Sequence, residues 1–144
     1  MDKDVLFLLH FASTIFMTGV IWIVQLVHYP GFQFVEEKRF IDFEKFHKFK
    51  ISLIVLPAML IELFTGIFII LFHAKIYFER FFIFNLIILF IIWLITFVFS
   101  VPLHKKLENG KDLKAIRLLI NTNWIRTFGW SIRLILLSFI SFNI

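Results

Sequence analysis

The sequence contains no cysteine among its 144 residues. Disulfides, thiolate metal sites and cysteine nucleophiles are therefore excluded, and a metal site would need histidine and carboxylate ligands. Charged residues are also scarce, at 17%, whereas an average soluble domain has about 25%. Hydrophobic residues make up 60%, and phenylalanine alone occurs 22 times. This composition indicates a membrane protein, and the length is that of a single domain.

Four apolar segments are long enough to cross a bilayer, because a transmembrane helix needs about 20 mostly apolar residues. These predicted spans cover residues 5–28, 51–72, 81–101 and 124–142. Two further helices are predicted at the membrane surface, over 36–50 and 111–122. The predicted fold is therefore all-α, an integral membrane four-helix bundle that occupies residues 1–144 as one domain.

The basic residues are distributed unevenly between the two sides of this bundle. Four spans put both termini on one side, the terminal side, and the long connections Tyr29–Lys50 and Pro102–Asn123 on the other, the connection side. Counting Arg126 at the start of span four, eleven lysines and arginines lie on the connection side. The terminal side has three: Lys3, Lys75 and Arg80. The positive-inside rule predicts that the connection side is cytoplasmic and both termini are non-cytoplasmic. The net charge of +5 thus indicates orientation and membrane-lipid contacts, and it argues against nucleic acid as a partner.

Polar residues within the spans recur at helical spacing, so each set shares one face of its helix. The four sets are His10, Thr14, Thr18, Gln25 and His28; His47, Ala58, Glu62 and Thr65; Asn85, Trp93, Thr96, Ser100 and His104; and Asn123, Arg126, Trp130 and Arg133. Unsatisfied polar groups are costly in hydrocarbon, so these faces should meet. The bundle is therefore predicted to have a polar interior.

Glu62 and Arg133 are the most costly residues of the predicted spans, at about 2.5–3.5 kcal/mol each on insertion scales. Glu62 lies about 16 Å from the connection side at 1.5 Å per residue, and Arg133 lies near that depth. We therefore predict that the two side chains face each other. The pair has two open roles, a structural ion pair that locks spans two and four or a functional pair. Glu62 would serve as a proton relay if it had no firm partner.

Three histidines, His28, His47 and His104, lie near the connection side although they are far apart in sequence. Imidazole binds zinc, copper and haem iron, so these are the candidate metal ligands, and a metal ion or haem is the candidate cofactor. The alternative is that they are interfacial histidines, which cap helix ends or bind headgroup phosphate. The absence of a tight ligand spacing such as HExxH favours that alternative.

The predicted site lies where the four polar faces meet, in the half of the bundle nearer the connection side. The candidate catalytic residues are His28, His47, Glu62, His104, Arg126 and Arg133. The candidate ligand-binding residues are Gln25, Tyr29, Asn123, Trp124 and Trp130. Tryptophans near a span end are also typical of the aromatic belt at the membrane surface, and Trp124 and Trp130 have that alternative reading.

Three segments of the chain also carry a resemblance. They are Trp22–Phe32; Phe46-His47 followed by Pro57–Glu62; and Pro102–Gly110 with Asn123–Arg133. In these segments the chain resembles small four-span bacterial membrane proteins of unknown function, which look related to the broad family that contains the fungal anthrone oxygenases. The resemblance covers most of the chain and implies a bacterial inner-membrane protein. The fungal members act on polycyclic anthrones without an evident organic cofactor.

Three functions are compatible with these features. The leading hypothesis is an oxidoreductase, with a metal ion, with haem or without a cofactor, whose buried pocket takes a small aromatic or quinone-like molecule. The second is a small proton-coupled transporter in which Glu62 titrates, and it requires a homo-oligomer because four spans are few for a carrier. The third is a structural or lipid-binding membrane subunit, in which the polar faces only hold the helices together.

Overall fold

The structure, a computed structural model, describes residues 2–73 and 79–142, and these residues form four long helices. They are α1 Lys3–Phe34, α2 Glu37–His73, α3 Arg80–Leu107 and α4 Leu113–Phe142. Each helix is long and apolar enough to cross a membrane. No strand occurs within the described ranges. The prediction of an all-α, four-helix integral membrane bundle is therefore confirmed.

The helices run alternately up and down through the bundle. His10, near the start of α1, contacts Thr65 near the end of α2, and Tyr29, near the end of α1, contacts His104 near the end of α3. Arg133, in the second half of α4, also contacts His10, so the start of α1 and the end of α4 lie at the same end of the bundle. Lys75, one of the terminal-side cations, lies outside the described residues.

Helix α2 continues far beyond the predicted span. Its 37 residues are unbroken and about 55 Å long, whereas the hydrocarbon core of a bilayer is about 30 Å thick. Most of the predicted surface helix over 36–50 is therefore the first part of α2, and most of that over 111–122 is the first part of α4. In this part of α2 a phenylalanine occurs at every third residue, from Phe40 to Phe49. Three residues of an α-helix turn by about 300°, so each phenylalanine is rotated by about 60° from the one before and the set does not share one face. Phe40 is fully buried, while Phe46 and Phe49 are exposed.

The polar and apolar residues are distributed as the periodicity predicts. Many large apolar side chains are exposed on the outer faces of the helices, where lipid can cover them. The buried polar residues in the interior include His10, Thr14, Gln25, His47, Glu62, Asn85, His104, Asn123, Arg126 and Arg133. The polar interior of the bundle is therefore confirmed.

Two π-helical turns interrupt the parallel helices α1 and α3, at Val24–His28 and at Thr96–Ser100. Each is followed two residues later by a proline, Pro30 or Pro102. Proline has no amide hydrogen, and its ring crowds the carbonyl group four residues earlier in a helix. The wider π turn accommodates both effects without breaking the helix. Such turns are frequent at functional sites.

The π turn of α1 changes which side chains face the interior. The polar face of α1 was predicted to continue from Gln25 to His28, three residues later. The wider turn shifts the inward position by one residue, so Tyr29 is buried and His28 is exposed. The predicted face therefore ends at Gln25, and tyrosine replaces histidine inside the bundle.

Asp112 caps the start of α4. Its Oδ1 accepts hydrogen bonds from the amides of Lys114 at 2.8 Å and Ala115 at 3.0 Å, and its Oδ2 pairs with Lys106 at 2.6 Å. The hydrogen bond from Lys106, followed by the bond from the Ala115 amide, lowers the pKa of Asp112 from 3.8 to about 2. The charged form is therefore favoured in the folded chain.

Asp112→Asn is expected to lower the melting temperature of the detergent-solubilised protein at neutral pH. Because the folded pKa is the lower one, the stabilisation is fully present above pH 3.8 and is lost as the pH falls towards about 2. The difference in melting temperature between wild type and variant should therefore shrink across that window. Asp42→Asn, at an exposed carboxylate of α2, is the control. A difference that does not change with pH would contradict the assignment.

Candidate functional site

The Glu62–Arg133 ion pair lies in the middle of the bundle, and both side chains are fully buried. Arg133 Nη1 donates to Glu62 Oε1 at 2.8 Å, as predicted from their common depth. The Thr14 hydroxyl donates to the same oxygen at 2.7 Å, and Trp130 Nε1 donates to Oε2 at 3.1 Å. Glu62 thus has firm partners on two other helices. The condition under which it would act as a proton relay is not met.

The other N–H groups of Arg133 are also bound. Its Nε donates to Asn85 Oδ1 at 3.2 Å, and its Nη2 lies 3.3 Å from both Thr14 Oγ1 and His10 Nε2. Asn85 Nδ2 in turn donates to the carbonyl oxygen of Arg133 at 3.1 Å. His10 also contacts Thr65 on α2. The network therefore joins side chains from all four helices: Thr14 and His10 from α1, Glu62 and Thr65 from α2, Asn85 from α3 and Arg133 from α4.

The hydrogen bonds around His10 define its tautomer. The Thr65 hydroxyl donates its proton to the carbonyl oxygen of Ile61 at 2.5 Å, so it accepts from His10 Nδ1 at 3.0 Å. Nε2 then has no proton and accepts from Arg133 Nη2 at 3.3 Å, so its 3.5 Å approach to Asn85 Oδ1 is a contact and not a hydrogen bond. His10 is thus a neutral imidazole that joins the arginine to α2, and the network is closed.

A second group of polar side chains lies near the connection side. The Tyr29 hydroxyl is 3.1 Å from His104 Nε2, and His104 Nδ1 is 2.6 Å from Glu44 Oε1. A carboxylate accepts hydrogen bonds, so Nδ1 carries the proton and Nε2 accepts from the tyrosine hydroxyl. All three side chains are buried. The order of carboxylate, imidazole and hydroxyl is one that activates a hydroxyl group for proton transfer.

The three predicted metal ligands come together in this group. The ring centroids of His28 and His47 are 4.7 Å apart, and those of His47 and His104 are 5.7 Å apart. The His47 and His104 rings stack, and the His28 ring is tilted against His47. Among the described residues no group of three or more histidine and carboxylate side chains is arranged to hold a metal ion. Ring stacking and the bonds of His104 to Tyr29 and Glu44 account for this arrangement.

A cavity of about 230 Å³ adjoins the Tyr29–His104 pair. Its walls come from α1, α2 and α3, with Arg126 from α4, and they are mainly apolar. Leu56 of α2 and Phe97 of α3 line the cavity and are 50% and 59% exposed. The cavity therefore opens between α2 and α3, on an outer face that lipid would cover.

Buried polar atoms without a partner mark this region of the described structure. They are Glu44 Oε2, His47 Nε2, Trp93 Nε1 and Arg126 Nε. Trp93 and Arg126 line the cavity, while Glu44 and His47 belong to the histidine group beside it. None belongs to the Glu62–Arg133 network. Because buried polar groups are normally satisfied, the two centres differ: one is closed, and the other has capacity for a ligand or water.

Four of the predicted ligand-binding residues lie outside the cavity wall. Gln25 and Asn123 bond to each other at 2.8 Å and join α1 to α4. Trp124 packs edge-on against Trp22, with ring centroids 5.9 Å apart. Trp130 is fully buried between the two centres, where it bonds to Glu62 and lies under Arg126. Their contacts hold helices together, whereas Tyr29 lines the cavity.

Glu44 is the residue that sequence reasoning missed. It lies in the segment 36–50, which was predicted as a helix at the membrane surface, yet it is fully buried. A signal was present, because Phe40, Glu44, His47 and Ile51 follow at steps of four, three and four, which is one helical face. Lys48 also lines the cavity, and its ammonium pairs with Glu108 of the loop after α3.

No protein-family model, curated protein or solved structure matches the chain. The resemblance to four-span bacterial membrane proteins and to the anthrone oxygenase family therefore stays a prediction.

Proposed function

We propose that the chain is a membrane enzyme that admits a small aromatic or quinone-like molecule from the bilayer and transfers protons at that molecule's oxygen. The observation that carries the proposal is the Glu44–His104–Tyr29 chain at the edge of a cavity that opens towards lipid. The third hypothesis, a purely structural subunit, would leave the cavity and its unpartnered polar atoms without a purpose.

The three residues have distinct roles in this proposal. Tyr29 and His104 both line the cavity, so a bound ligand can reach them. The tyrosine oxygen accepts a proton from the ligand while its own proton passes to His104 Nε2, and the reverse transfer returns it. Glu44 holds the imidazole in the required tautomer and stabilises the imidazolium that forms.

The resemblance supports a redox version of the same chemistry. An anthrone in its enol form loses its O–H proton to give the enolate. The enolate, molecular oxygen and the returned proton then yield the anthraquinone and water. Oxygen is the oxidant in this version, and the protein supplies the base and the water-poor pocket. We place the basic connection side in the cytoplasm of a bacterial inner membrane, so the cavity lies in the cytoplasmic half of the bilayer.

Glu44→Gln is the sharpest test of the proposal. The variant keeps the shape of the side chain but removes its charge, and a hydrogen bond to a charged group contributes about 1.5–3 kcal/mol. We therefore expect anthrone oxidation by the protein in nanodiscs, measured by oxygen uptake and anthraquinone absorbance, to fall by about tenfold or more. The exposed Asp42→Asn is the matched control on the same helix and should keep full activity.

Two outcomes would contradict the proposal. One is an oxidation rate in wild-type nanodiscs equal to that in empty nanodiscs. The other is full activity in Glu44→Gln at an unchanged melting temperature, because the carboxylate would then have no part in the reaction.

A further inference from the structure

Arg126 is a buried cation without an acidic partner among the described residues. Its side chain is 5% exposed, and the ion pairs of the described chain join other residues. Its Nη1 donates to Ser100 Oγ at 3.2 Å and to Asn123 Oδ1 at 3.0 Å, and both partners are neutral. Its Nε has no partner at all. The other buried arginine, Arg133, shows the contrast, because a glutamate neutralises it.

An unpaired charge in a low-dielectric interior is costly, so a partner is expected. The guanidinium lies over the Trp130 ring, 5.5 Å from its centroid, which offsets part of this cost. The same arginine lines the cavity. Trp93 lines it too, and its indole N–H is a second buried donor without a partner. The cavity wall therefore offers two unpartnered donors and, at Arg126, a positive charge.

We propose that the cavity binds a small apolar acid as its anion, with the oxyanion on Arg126 and the apolar body towards the opening between α2 and α3. This inference rests on the cavity of the proposed function and names its substrate class, an enolate, phenolate or carboxylate. The volume of about 230 Å³ is below the roughly 300–1,000 Å³ of drug-sized pockets, which limits the body to two or three fused rings.

The entry route explains why such an acid is compatible with lipid on the outside. The neutral acid partitions into the bilayer and passes the half-exposed Leu56 and Phe97 at the cavity opening. Its O–H bond breaks inside, the proton goes to the Tyr29–His104 pair, and the oxygen keeps the electron pair. The anion then stays beside the guanidinium of Arg126, which presents N–H donors to it.

The test compares two probes of similar shape and different charge. 2-Naphthoate carries an oxyanion, and 2-naphthamide is neutral. Binding to the protein in nanodiscs is measured by calorimetry and by quenching of tryptophan fluorescence, since Trp93 lines the cavity. We expect 2-naphthoate to bind at least tenfold more tightly than 2-naphthamide. Arg126→Gln should remove this preference, and Arg126→Lys should keep part of it.

Two further variants keep the result interpretable. Arg117→Gln removes an exposed cation of the same helix, so it should keep the preference for the anion. Leu56→Trp narrows the opening and should weaken both probes together, which tests the cavity even if Arg126→Gln fails to fold. Equal binding of the two probes by wild type, or an unchanged preference in Arg126→Gln, would overturn the inference. Binding and turnover are separate readouts, so a preference for the anion without anthrone oxidation would refute the proposed reaction alone.

Discussion

Glu62→Gln is expected to lower the free energy of unfolding by about 3–5 kcal/mol, because it leaves the arginine opposite as an unpaired buried charge. Arg133 cannot move to solvent, since its side chain is fully buried and bonded on several sides. The loss should appear as a large fall in melting temperature and as unfolding at lower denaturant in detergent micelles. The fall should exceed that of any exposed carboxylate variant.

The double variant Glu62→Gln with Arg133→Gln separates charge pairing from simple loss of contacts. It removes both charges and keeps amide groups that can bond to each other, so it should be more stable than Glu62→Gln alone. Asp42→Asn, on the exposed face of α2, is the control and should change stability by less than about 0.5 kcal/mol. Destabilisations that simply add would show that the two residues do not act as a pair.

Many contacts in the interior of the bundle could be predicted, because the positions of polar residues within the apolar spans indicate which helix faces meet. The faces through His10, Glu62, Asn85 and Arg133 were predicted from spacing alone, and the structure brings them into contact. A polar residue in lipid must find a partner, so helical periodicity and depth are enough to pair helices. The same reasoning also indicates one arginine in excess, because the predicted spans contain one carboxylate, Glu62, and two arginines, Arg126 and Arg133.

The features that define the cavity could not be predicted in this way. The choice of Tyr29 over His28 follows from a π turn, and a wider turn is invisible to a fixed helical period. The burial of Glu44 depends on how far α2 extends beyond the membrane and on which of its faces meets α3. The cavity itself depends on how closely α2 and α3 pack, and packing distance has no direct signature in one sequence.

The Glu62–Arg133 network and the cavity beside Arg126 have different roles in the bundle. The network around Arg133 is fully bonded and connects all four helices, so we interpret it as the support of the fold. Arg126, seven residues earlier and two turns nearer the connection side, keeps an unpartnered Nε. The rigid network lies under the cavity, and Trp130 contacts both arginine sites. Rigid support beneath a site that retains free donors is the arrangement a binding pocket requires.

Tyr29→Phe is expected to reduce turnover by about 100-fold, since general acid–base catalysis contributes about 10²–10⁴. The substitution removes a single oxygen atom and keeps the ring, which packs against Phe32 and His47 with centroids 5.7 Å and 6.3 Å away. Stability and 2-naphthoate binding should therefore change little. In the anthrone assay kcat should therefore fall, and KM should stay close to the wild-type value.

His28→Phe is the matched control for this variant and also tests the competing reading of the site. His28 is the neighbouring residue, but its side chain is exposed and its ring lies tilted against that of His47, a contact that a phenyl ring preserves. Proton relay through Tyr29 predicts near wild-type turnover for His28→Phe. The metal-ligand hypothesis predicts the opposite pair of results, because removal of one of three imidazole ligands would abolish activity while loss of the tyrosine hydroxyl would be tolerated. An inactive His28→Phe beside an active Tyr29→Phe would therefore reject the relay and restore the histidine group as the reactive centre.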